Sequence, residues 1–142
     1  MAARILSSSM LLVSVLTALA LAAPAPANEN TTLEKRIDHF GDATWFNVGL
    51  GNCGVVSFNS DKIVAIPKAL YDQNNGGNCF QWVEITDQRN GNVHYGQTLD
   101  SCPSCNDGLD LSPSLFEEFD SLDVGEFPIK WSFKAFGFVP PI

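Results

Sequence analysis

This chain of 142 residues predicts a small, mainly β barrel with one or two short helices. Three observations carry that prediction. Its apolar residues fall in many short extended runs, and helical periodicity is confined to one short segment. An Asn90-Gly91 pair, the strongest short hairpin signal, sits between two alternating segments. Four cysteines, Cys53, Cys79, Cys102 and Cys105, lie in what is otherwise a modest single domain.

The N-terminus sets the compartment. Met1 to Arg4 is short and basic, Met10 to Ala23 is almost wholly apolar, and Ala25-Pro-Ala27 supplies small residues for cleavage. This pattern predicts a secretory signal peptide over 1–27, because the apolar run is shorter than the roughly 18 residues a membrane span needs. The polar stretch 28–36 ends in Lys35-Arg36, a dibasic pair of the kind cut by kexin-type proteases. It reads as a pro-segment, and the only Asn-x-Thr sequon, Asn30-Thr-Thr32, would leave with it. The expected mature domain is then 37–142. It carries 5 Lys/Arg against 14 Asp/Glu, a net charge of −9. That balance argues against nucleic acid and anionic membrane surfaces as partners.

Within the domain, Ala43–Asn47 carries Trp45 and Phe46 and reads as a strand. Gly49-Leu-Gly-Asn-Cys-Gly54 is a turn that lacks the Lys-Ser/Thr of a phosphate loop. Ile63–Ile66 is a short buried strand before Pro67. Phe80–Thr86 and Asn92–Leu99 are the hairpin arms, and Ile129–Phe133 is the last strand. In Asp110-Leu-Ser-Pro113, Ser112 suits an N-cap and Pro113 the first helical position, so a helix is expected to start there with Asp110 just outside it. An even cysteine count in a secreted domain predicts two disulfides, with three possible pairings. Zinc is the competing use of Cys102-x-x-Cys105, but Cys53 and Cys79 form no second ligand pair. No metal or cofactor is expected.

Taken in order, Ala43-Thr-Trp-Phe-Asn47, Gly51-Asn-Cys-Gly54, Val64-Ala-Ile66, Cys79, Leu99-Asp-Ser-Cys-Pro-Ser-Cys105, Asp110-Leu-Ser112 and Ile129-Lys-Trp131 resemble a known family. The chain looks like the six-stranded double-psi β-barrel of expansins, rare lipoprotein A domains, barwin-like proteins and family-45 endoglucanases. It is most similar to single-domain fungal expansin-like proteins such as the loosenins. The resemblance implies the pairing Cys53–Cys79 and Cys102–Cys105; the short loop of the second should make it the more strained and more easily reduced. It also implies a groove in which Asp110 matches the aspartate of the Asp-Leu-Ser motif, Asp100 a second carboxylate and Thr44 a hydrogen-bonding threonine. Phe46 stands where expansins usually carry tyrosine. Trp45 and Phe46 complete the candidate glycan contacts; strand alternation sends one inward, and Phe46 is favoured for the groove. Trp131 is expected in the core.

No Asp lies between Ala43 and Asn47, where the endoglucanases keep their base. The implied activity is therefore binding and non-hydrolytic loosening of a cell-wall polysaccharide of cellulose, chitin or peptidoglycan type, by a secreted monomer without catalytic residues. The expansins that act fully on plant walls have a second, carbohydrate-binding domain; none is expected here, so binding should be weak. The alternatives are a protein-binding module, either a cysteine-protease inhibitor or a host-directed effector, and a lytic enzyme on a glycan. An exposed apolar loop patch would favour a protein partner.

Overall fold

The computed structural model describes residues 37–141. The predicted signal peptide and pro-segment, with Lys35 and Arg36, lie outside the described residues. Six strands form a closed barrel: β1 (His39–Trp45), β2 (Ile63–Pro67), β3 (Trp82–Asp87), β4 (Val93–Cys102), β5 (Leu109–Leu111) and β6 (Phe127–Phe133). They run around the barrel in the order β1-β5-β2-β4-β3-β6, with β6 pairing back onto β1. The β1–β5 and β2–β4 pairs are parallel; the other four are antiparallel. Closure leaves no free sheet edge, which stabilises strands as short as the three residues of β5.

Alternation fills the interior. Val83 and Ile85 of β3, Leu109 and Leu111 of β5, and Phe127, Ile129 and Trp131 of β6 meet Val64, Ile66, Leu115 and Phe116 in one core. Trp131, 1% exposed, donates its indole N–H to the Asp107 carbonyl at 2.9 Å, so the expected core tryptophan also braces the turn beneath it. Both disulfides form as the resemblance implied, Cys53–Cys79 and Cys102–Cys105.

The hairpin forms around Asn90-Gly91, but as a loop over 88–91. Asp87 N–H bonds the Asn92 carbonyl at 2.9 Å, Gly91 N–H bonds the Asp87 carbonyl at 2.8 Å, and Gly91 adopts φ +82°. Its first arm starts at Trp82 because Phe80 turns into a left-handed conformation, φ +68°. Two α-helices are present among the described residues. Helix α1 (Lys68–Gln73) follows Pro67 directly, and α2 (Pro113–Phe116) has Ser112 as its N-cap residue and Pro113 in its first turn.

The helix starts where expected and Asp110 lies just outside it, as the centre of β5, paired with Thr44 on β1 and Ala65 on β2. Ser112 makes no side-chain cap bond, however: its hydroxyl donates to the Asp61 carbonyl and accepts from Ile63 N–H. Leu109 and Leu111 gain burial on both sides of Asp110 by entering the barrel, so a strand runs up to the helix start.

Candidate functional site

The site is built from strand register. Asp100 on β4 pairs with Ala65 on β2, Ala65 with Asp110 on β5, and Asp110 with Thr44 on β1. Residues directly opposite one another on neighbouring strands share a face. Leu109, Leu111 and Ala43 point inward, so Asp110 and Thr44 point outward. The two carboxylates therefore stand on the outer face two strand steps apart, a backbone separation of roughly 10 Å. Ala65 between them adds only a methyl group.

The two aspartates are held differently. Asp100 Oδ1 accepts the backbone N–H groups of Asn52 at 2.9 Å and of Ser101 at 2.8 Å. It thereby anchors the Gly49–Gly54 turn to β4. Gly51 is required there, because a Cβ would sit 2.3 Å from the Leu99 carbonyl oxygen. Asp110 Oδ1 accepts the Thr44 hydroxyl at 2.8 Å. Burial raises the Asp110 pKa above the usual carboxylate value; the Thr44 bond opposes that rise and the Asp100 charge adds to it. One pinned carboxylate thus faces one adaptable carboxyl across the row.

A cleft of about 300 Å³ opens beside Thr44, bounded by Phe40, Asp42, Cys105, Asp107 and Glu126. Among the described residues, its walls carry three carboxylates and no cationic side chain. Phe40, 58% exposed, was missed by sequence reasoning. The signal was its parity: Phe40, Asp42, Thr44 and Phe46 occupy alternate positions along and just past β1.

No protein-family model and no curated protein matches the sequence. Solved structures do. A Streptomyces papain inhibitor is 32% identical over 70% of this chain and 96% of its own, with a TM-score of 0.61. The chain belongs to the family of that papain inhibitor. A variant of the Clavibacter michiganensis expansin, solved in complex with cellohexaose, is 22% identical with a TM-score of 0.62. It matches 73% of this chain, which spans about half of the expansin, 54%. Cerato-platanin 3 from M. perniciosa has the same general fold at 10% identity and a TM-score of 0.51. The papain inhibitor and the expansin share the double-psi β-barrel, so this papain-inhibitor relative has the fold that its motif order implied.

The remaining candidates separate cleanly on this family member's surface. Trp45 packs against the core and donates its indole N–H to the Leu122 carbonyl at 3.0 Å, so its ring is committed inward. Phe46 follows it half-buried at the end of β1, its N–H bonded to the Leu111 carbonyl at 3.0 Å. His39 stacks on Trp131 with ring centroids 4.1 Å apart, and burial lowers its pKa. His94 Nδ1 lies 3.1 Å from Glu118. The sulfurs of Cys102 and Cys105 and a carboxylate oxygen of Asp110 fall within 4.8 Å of one another. Since the sulfurs are bonded to each other, they are not thiolate ligands for a metal in this form. An apolar rim lies on the loop after β1, where Leu50 and Val56 bridge and are 73% and 61% exposed, with Phe58 at 69%.

Proposed function

We propose that the protein is secreted, binds cell-wall polysaccharide along the outer face carrying Thr44, Asp110 and Asp100, and loosens it without hydrolysis. The observation that supports this most directly is the row itself: two carboxylates and a hydroxyl lined up across four neighbouring strands beside an open cleft. Carboxylates accept hydrogen bonds from sugar hydroxyls and so compete with the bonds that glycan chains make to one another. A fold neighbour solved with cellohexaose adds support. Hydrolysis needs an acid and a second free carboxyl flanking the scissile bond, about 5–9.5 Å apart. Asp110, with its raised pKa, has the character of an acid, but one oxygen of Asp100 is already held by two backbone N–H groups.

The test is a pull-down on insoluble cellulose, chitin and peptidoglycan, with reducing-end release measured on the same samples. Binding without release is expected; release would establish a lytic enzyme, and no binding to any of the three would remove the glycan reading.

A second reading is favoured by a different observation. The family relative is a papain inhibitor, and the exposed Leu50, Val56 and Phe58 form an apolar rim suited to a protein partner. Inhibition of papain lost in Leu50→Asp or Phe58→Asp, with glycan binding absent, would make this the function.

A further inference from the structure

We propose that Cys102–Cys105 is a thiol–disulfide exchange site for dithiols, attacked at Cys105, with the Asp110 carboxyl serving as the proton carrier for Cys102. The inference is independent of which partner occupies the outer face, although it uses the same aspartate.

Access decides the point of attack. Cys102 ends β4 and is 5% exposed, whereas Cys105 is half-buried and flanked by exposed Ser104 and Asn106 on the cleft wall. An incoming sulfur therefore meets Cys105 first. The leaving sulfur, that of Cys102, lies 3.6 Å from the Ser104 hydroxyl, which is able to donate to a thiolate. A carboxylate oxygen of Asp110 lies within 4.8 Å of both sulfurs, a separation that one water spans. Burial and Asp100 favour the protonated form of this carboxyl.

The chain around the bridge does not depend on it. Gly108 N–H bonds the Cys105 carbonyl at 2.7 Å, and the Gly108 α-carbon is pressed so close to β1 that a Cβ would fall 2.1 Å from the Asp42 carbonyl oxygen. These contacts keep Cys105 near Cys102 after reduction, so the bridge is able to reclose. Cys53–Cys79 differs: it spans 26 residues, and opening it releases a long loop.

In the reaction, a thiolate of the dithiol attacks Cys105 Sγ. The Sγ–Sγ bond breaks, a mixed disulfide forms, and Cys102 leaves as a thiolate that takes a proton from Asp110. The second thiol of the reagent, as its thiolate, then attacks the reagent's own sulfur in the mixed disulfide. The reagent closes to a disulfide and Cys105 is released as a thiolate. After reprotonation from water the protein holds two thiols, having gained two electrons and two protons, and the dithiol has lost the same.

The test titrates the folded protein with dithiothreitol, alkylates free thiols and maps the labelled peptides. Cys102 and Cys105 should label together at about tenfold less reductant than Cys53 and Cys79, with the circular dichroism unchanged. Asp110→Asn, checked for an unchanged spectrum, should slow Cys102–Cys105 opening about tenfold. The double variant Cys102→Ser, Cys105→Ser should stay folded and lose the early labelling. Joint opening of both bridges, or an unchanged rate in Asp110→Asn, overturns the proposal.

Discussion

Asp110 is placed where two demands conflict. It must face outward beside Thr44, yet it is largely covered, and Asp100 across Ala65 adds like charge. Its folded pKa is raised above the unfolded value, so the stability it contributes is present below the unfolded pKa and is lost as pH rises through the folded one. Asp110→Asn keeps the Thr44 bond and removes that penalty. The variant should therefore melt no lower than the parent at neutral pH, and any gain should vanish on acidification, as measured by calorimetry across pH. Glycan affinity should fall roughly tenfold or more, from loss of a charged hydrogen bond of about 1.5–3 kcal/mol. Asp123→Asn, at an exposed position away from the cleft, is the matched control and should bind normally. Early melting with normal glycan binding would make Asp110 purely structural.

At the level of elements, the β3–β4 hairpin and the bridge from the Gly49–Gly54 turn each offer a change whose cost unfolding experiments read. The Asp87 carboxylate is fully buried at the end of β3 and accepts from Arg89 N–H and the Arg89 guanidinium, at 2.7–3.1 Å, and from Asn90. Arg89 also bonds Asp120 at 2.9 Å and lies over the Phe127 ring, tying the hairpin to the segment after α2. These bonds hold the Asp87 pKa below the usual range. Its stabilisation is therefore present above the unfolded pKa and is lost as pH falls through the folded one. Arg89→Ala should cost about 1.5–3 kcal/mol in urea unfolding at neutral pH, and less in strong acid. Replacing Cys53 and Cys79 together by Ser should cost about 3 kcal/mol by loop closure, read from the same experiment.

For the whole molecule, the two disulfides suit an oxidising compartment, and the dibasic pair offers a test of the proposed secretion and processing. Secreted protein should begin at Ile37, and Arg36→Ala should leave the stretch from Asn28 attached without unfolding the barrel. N-terminal sequencing of both forms decides this; native protein beginning at Asn28 refutes the pro-segment.

The sequence by itself determined what depends on near neighbours. The hairpin at Asn90-Gly91, the buried run Ile63–Ile66, the inward Trp131 and the even cysteine count are all written in spacing and alternation. Motif order pointed further, to the barrel and to Asp100, Asp110 and Thr44 as one site. Tertiary structure alone decided how those residues meet. Asp110 and Thr44 are 66 positions apart and touch only because β5 runs parallel to β1. The same pairing made a strand of the three residues just before the helix start, burying Leu109 and Leu111 in the closed barrel. Trp45 and Phe46 are equally aromatic in sequence, and packing against the core together with the carbonyl of Leu122, 77 positions away, fixed Trp45 inward. Local chemistry sets turns and alternation; which long-range pairs satisfy the backbone and fill the core is settled by the closed sheet as a whole.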